Sequence, residues 1–261
     1  MSDEKVTVGR DGHVLSIGVN RPEKKNAWDV DIIQGVARGL QELADEPELR
    51  VGVIFGHGPD FSAGLDLMSV APLVAGGRGA SVLPAGLPDP WDFLGEPCPK
   101  PVVVAVHGRC FTLGIELILA SQVTIAAADT QFAQLEVARG IVPLGGATLR
   151  LGERLGSVGL RYLLTAETFD APTALDAGLV TEVVAVGRQL ERAREVAGLI
   201  AANAPLAVQA ALAASRAAER GARDAAARAV GVAVPARFNS ADAAEAISAM
   251  VERRTAVFTG R

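Results

Sequence analysis

The chain has 261 residues, 49% of them hydrophobic and 21% charged, which suits one large globular domain or a domain with an appendage. A formal net charge of -5 argues against a nucleic-acid partner, whose binders carry a basic surplus. No uncharged apolar run reaches about 18 residues, and the opening MSDEKVTVGRDGH lacks the basic and apolar regions of a signal peptide, so no membrane association and a cytoplasmic location are expected.

In chain order, KVTVGRDGHVLSIGVN alternates around Asp11 and Gly12 and predicts a β-hairpin. NAWDVDIIQGVARGLQELADEPE predicts a helix, with Asn26 as its cap and Val30, Ile33, Val36 and Leu40 at helical spacing. RVGVIFGHG, KPVVVAVHG and VTIAAAD are short apolar runs closed by turn residues, the signature of strands buried on both faces. Alternating with helical segments, they imply an α/β core whose loops gather at one edge of a parallel sheet. Residues 71–99 hold too much Gly and Pro for a long helix; with Trp91 and Phe93 they read as a lid or pocket wall rather than a disordered insertion. From Arg188 onward the chain is rich in Ala and Arg and helical by propensity, and Ser240 is the expected cap of the last helix. Cys98 and Cys110 lack metal-ligand spacing and read as reduced and structural. His13, His57 and His107 are likewise scattered, so no metal site is expected.

Two acids stand out from their surroundings. Glu116, in GRCFTLGIELILASQ, is flanked by Ile115, Leu117, Ile118 and Leu119 in what should be the first turn of a helix. The helix dipole gives it a structural explanation; desolvation gives it a chemical one, because burial raises a carboxyl pKa toward the range of general acid or base work. Glu136, in FAQLEVARGIVPLGG, sits between Leu135 and Val137. Two such acids suggest one shared site.

NRPEKKNA (20–27), FSAGLDL (61–67), KPVVVAVHG (100–108), IEL (115–117), FAQLEVARGIVPLGG (132–146) and the ending VERRTAVFTGR together resemble the enoyl-CoA hydratase/isomerase (crotonase) superfamily, with the motifs in family order from about residue 6 to residue 261. The resemblance implies a crotonase-like α/β spiral of ββα units, a core over residues 1–198 carrying an acyl-CoA site, and a helical C-terminal region over 199–261 that assembles trimers or hexamers. It implies an acyl-CoA thioester as substrate and no separate cofactor, coenzyme A being part of the substrate. Carried over by motif, Glu116 and Glu136 become the catalytic pair, one activating water and the other supplying a proton. The N–H groups of Leu65 and Leu113 become the oxyanion donors. Lys24, Lys25, Ala27, Ala63, Gly64, Asp66, Leu67, Gly108, Pro143 and Leu144 become substrate and CoA contacts, with Arg253, Arg254 and Arg261 as further candidates for the phosphates.

Two departures bear on activity. The family usually writes three glycines before its acid, where this chain has Thr112, Leu113 and Gly114, and hydratases often have glycine where this chain has Leu144. Any non-proline residue keeps its N–H, but a side chain needs room and restricts φ. Three readings follow: a 2-enoyl-CoA hydratase using both acids, a double-bond isomerase using the acid at Glu136, and an acyl-CoA-binding protein whose site has drifted.

Overall fold

The computed structural model describes residues 4–76, 82 and 85–260. Met1–Asp3 of the opening stretch, Arg261, and residues 77–81, 83 and 84 of the Gly- and Pro-rich segment lie outside the described residues.

Strands β1 (Val6–Asp11) and β2 (Val14–Val19) form the expected antiparallel hairpin, with Asp11 facing Val14 across the turn. Helix α1 (Val30–Asp45) buries Ile33, Val36 and Leu40 as its spacing predicts. Its cap, however, is Asp29 and not Asn26: the Asp29 carboxylate accepts the Ile32 amide at 3.1 Å. Asn26 is instead a buried clasp. Its amide group donates to the carbonyls of His57 (2.8 Å) and Asp60 (2.7 Å) and accepts from the Arg21 N–H (2.7 Å), which pins loop 21–27 to loop 57–60.

Strands β3 (Val51–Gly56), β4 (Val102–Val106), β6 (Val123–Ala127) and β9 (Glu182–Val184) continue the sheet in parallel, in the order β1-β2-β3-β4-β6-β9. Because successive side chains point to opposite faces, each strand feeds two cores. Val51, Val53, Val103, Ala105 and Ile125 meet Ala193, Ala197 and Ala201 of helix α6 (Gln189–Ala201), whose alanines let it lie close to the sheet. Ile54, Val104 and Val106 face the larger core, which contains α1.

A second sheet joins β5 (Arg109–Phe111), β7 (Gln131–Ala133) and β8 (Phe169–Asp170), and the bridge between Ser62 and Cys110 extends it. Each turn of the chain thus places one strand in the large sheet and a short one in the small sheet: β3 then Ser62, β4 then β5, β6 then β7. This is the repeated ββα spiral, with helices α2 (Leu67–Ala75) and α3 (Leu113–Ala120) following the first two of these turns.

Helices α4 (Ala147–Thr165) and α5 (Ala171–Asp176) complete the core, and α7 (Pro205–Phe238) and α8 (Ala241–Glu252) follow it. Ser240 caps α8, its hydroxyl accepting the Ala243 amide at 3.1 Å. α7 packs on α2, and α8 packs on the turn at Val137–Arg139, so both helices lie beside the loops that follow β3 and β7.

The described part of 71–99 forms a wall. Asp89, buried at 3% exposure, organises it by accepting the amides of Trp91, Phe93, Leu94 and Gly95 at 2.8–3.1 Å. Four charge-assisted hydrogen bonds on one carboxylate hold a turn that Gly and Pro leave without helix or strand.

Candidate active site

β5 ends at a sharp corner. Thr112 takes φ 49 and ψ -110 and hands its amide to the Ala133 carbonyl at 2.9 Å, so α3 starts abruptly at Leu113. Glu116 then falls in the first turn of a helix buried from Leu113 to Leu119. Its side chain is fully buried, with Oε1 accepting the amides of Gly145 (2.7 Å) and Ala147 (3.1 Å) at the start of α4. Oε2 has no partner among the described residues, which leaves one oxygen to act on a ligand. Burial pushes the carboxyl pKa up to about 7, against the pull of those two amides and the nearby Arg150 guanidinium.

Glu136 opens the turn after β7. Its Oε2 accepts the Gln134 side-chain amide at 3.0 Å, and its carbonyl accepts the amides of Arg139 and Ile141. Burial pushes this carboxyl up to about 8, and the charge of Glu116 adds to the shift. The two acids line one small cavity of about 10 Å³, together with Leu65, Leu67, Leu113, Arg139 and Leu144. That space suits about one water molecule. A cavity of about 700 Å³ adjoins it and shares Leu65, Leu113 and Leu144 with it.

The N–H groups of Leu65 and Leu113 sit on two touching turns. Trp28 bridges to Leu65 in parallel fashion, bonding Gly64 (2.8 Å) and Asp66 (2.9 Å), which turns the Leu65 N–H away from Trp28. Leu113 is the first residue of α3, where no intrahelical acceptor exists. Neither N–H meets an acceptor among the described residues. The turns meet at Gly64, which has φ +93; a Cβ there would lie 1.8 Å from the Thr112 hydroxyl.

The other sequence candidates divide. Lys24 and Lys25 are exposed on the loop that Asn26 clasps. The Ala63 amide donates to the Lys25 carbonyl at 2.9 Å, and the Ala27 carbonyl accepts Arg21 at 3.1 Å, so these two groups hold the loop together. The Asp66 carboxylate pairs with Arg21 at 2.8 Å. Leu67 and Leu144 line the acid cavity. Gly108 and Pro143 line neither that cavity nor its large neighbour; at Gly108 a Cβ would meet the Pro59 carbonyl at 2.1 Å, so its absence lets two loops cross. Arg254 is paired with Glu245 and Glu252, and Arg253 is exposed at the end of α8.

Sequence reasoning passed over Arg150, Arg139 and Gln134. Arg150, 2% exposed, donates to the carbonyls of Trp91 (2.7 Å) and Asp92 (2.5 Å) and supports the charge of Glu116, tying the wall to the buried carboxylate. The available signal was an arginine on the Ala147, Leu151, Leu155 face of α4, a charge in an apolar stripe. Arg150→Met should strip the wall of these bonds and lower unfolding free energy by about 3 kcal/mol, read by urea denaturation. A change within 0.5 kcal/mol, about the scatter of surface substitutions, would contradict this anchoring role.

The chain is similar to proteins of one family over nearly its whole length. The family model described as Enoyl-CoA hydratase/isomerase matches residues 9–261. A carnitinyl-CoA dehydratase of Salmonella typhi is 34% identical over 268 residues, spanning 99% of each chain. Among solved structures, a probable enoyl-CoA hydratase/isomerase from Mycobacterium abscessus is 46% identical over 99% of each chain, with a TM-score of 0.81. A carnitinyl-CoA hydratase from Mycobacterium avium is 32% identical over 100% of each chain, with a TM-score of 0.85.

Proposed function

The chain belongs to the enoyl-CoA hydratase/isomerase family, and from that premise we propose that it is a hydro-lyase interconverting a 2-enoyl-CoA and the corresponding 3-hydroxyacyl-CoA. The observation that carries this reading is the pairing of two buried carboxylates on one cavity bordered by Leu65 and Leu113, whose amides meet no acceptor among the described residues. The carnitinyl-CoA dehydratase relatives support water chemistry over double-bond migration.

In the hydration direction the thioester oxygen lies between the N–H groups of Leu65 and Leu113. Glu116, held toward its ionised form by two amides and Arg150, takes a proton from water as the water oxygen bonds to the β-carbon. The electron pair of the double bond moves onto the thioester, where the two N–H groups stabilise the enolate by several kcal/mol. Glu136, the acid pushed further toward its protonated form, delivers its proton to the α-carbon. Dehydration runs the same transfers backwards. Base, acid and oxyanion donors supply all this chemistry from the chain itself, and coenzyme A enters as part of the substrate. The exposed ammonium groups of Lys24 and Lys25 are available to its phosphates. Exposed Leu206 and Val232 on α7 and Val251 on α8 offer surface for assembly into the homotrimer or hexamer usual in the family.

Since turnover needs one acid ionised and the other protonated, kcat/KM for crotonyl-CoA should follow a bell in pH. It rises as the pair loses its first proton near pH 7 and falls as it loses the second near pH 8. Activity that keeps rising through pH 9 would remove the protonated acid from the mechanism.

A further inference from the structure

The 700 Å³ cavity beside the acids falls within the range of about 300–1,000 Å³ that encloses drug-sized ligands. Its walls come from Ile33 and Ala44 of α1, Val70 and Val74 of α2, Val234 of α7, and the segment around Trp91. It borders the site, because Leu65, Leu113 and Leu144 line both spaces. Resting on the reading that sets the thioester at the N–H groups of Leu65 and Leu113, we infer that this cavity holds the acyl tail and that the preferred substrates carry a long or bulky apolar acyl group, not a short cationic one like that of carnitinyl-CoA.

Size and charge both lead there. A short acyl group would leave most of the cavity unfilled, whereas a long chain exchanges water for a lining of Val, Leu, Ile, Ala and Pro. A buried quaternary ammonium needs a desolvated anion or several aromatic faces. The lining has two carboxylates: the charge of buried Asp89 is already offset by four amide dipoles, three of them on Oδ2, and Glu96 is exposed, where solvent and salt screen it. Gln41 is held by Asp45 at 2.8 Å. Trp91 is the single aromatic among the described lining residues, and its indole N–H is bonded to the Leu113 carbonyl at 3.2 Å.

The test is calorimetric binding of butyryl-, hexanoyl-, octanoyl- and decanoyl-CoA, saturated thioesters that cannot be hydrated, with carnitinyl-CoA as the cationic comparison. Each added methylene should tighten binding by up to roughly fourfold, so that decanoyl-CoA binds about 100-fold or more tighter than butyryl-CoA. Carnitinyl-CoA should bind more weakly than decanoyl-CoA. Ala44→Phe, which fills the cavity from α1, should shrink the decanoyl-to-butyryl ratio by about tenfold. Equal dissociation constants along the series, or tighter binding of carnitinyl-CoA than of decanoyl-CoA, would overturn the inference, as would an unchanged ratio in a folded Ala44→Phe protein. The four saturated thioesters report on the cavity without turnover. Length-dependent binding with no hydration of any enoyl-CoA supports the inference and defeats only the hydro-lyase reading.

Discussion

Glu136→Gln should lower the hydration of crotonyl-CoA by about 10²–10⁴-fold, the usual span for loss of a general acid or base, and should abolish any isomerisation of a 3-enoyl-CoA as well. Glutamine keeps the size of the side chain and its hydrogen bonding but cannot deliver a proton to the α-carbon. Glu116→Gln should reduce hydration over the same range while sparing isomerisation, since moving a double bond requires no attacking water. The split between the two variants identifies which acid handles water. Equal and mild losses would favour a protein that binds acyl-CoA without turning it over.

The same variants should be at least as stable as the native protein, which separates lost chemistry from lost folding. Both carboxyl pKa values are raised on folding, so the folded state holds protons that the unfolded chain has already released. Stability from these groups is fully present below the ordinary carboxylate range and declines as pH rises toward 7 and 8. Removing either charge should therefore raise the melting temperature at pH 9 and change it little at pH 4.

Gly64→Ala should be the most damaging single change outside the two acids. The added methyl would lie 1.8 Å from the Thr112 hydroxyl and 3.0 Å from its Cβ, at a φ of +93, so Thr112 must turn aside or the turn bearing Leu65 must shift against the turn bearing Leu113. Displacing one oxyanion donor costs about 10²–10³ in kcat. Gly12→Ala is the control: φ is +53, but no atom lies within 4 Å of the added methyl, on a hairpin turn that lines neither cavity of the site. It should cost about 1 kcal/mol of stability and leave kcat unchanged. Equal kcat in the two variants would mean that contact between the turns does not position the donors.

The two acids proposed to carry the reaction were legible in the sequence because chemistry and pattern conflict there. Glu116 and Glu136 interrupt apolar runs, and the one cavity that both line accounts for the two interruptions together. The strands were legible because a strand buried on both faces must be largely apolar, as β3 and β4 are throughout and β6 is except at Thr124. Asn26 misled because its side chain suits a helix cap as well as a loop clasp, and the choice was made by Asp29, three residues nearer the helix. Leu113 raised doubt for its side chain, yet the property that counts is its place as the first helical residue, set by the Thr112 corner, and propensity does not encode that corner. Arg150 went unread because its partners are carbonyls of a segment 58 and 59 residues away. The four amide bonds to Asp89 and the reach of the large cavity depend on the same segment. They follow from tertiary packing alone.

The central claim is that Glu116 and Glu136 add water across a conjugated thioester. It is tested most directly by incubating the protein with crotonyl-CoA and trans-2-decenoyl-CoA in deuterium oxide and analysing the products by mass spectrometry and NMR. The account predicts loss of the conjugated absorbance, a hydroxyl group at the β-carbon and one deuterium at the α-carbon. Binding of both thioesters with the double bond intact, or migration of the double bond without addition of water, would contradict it.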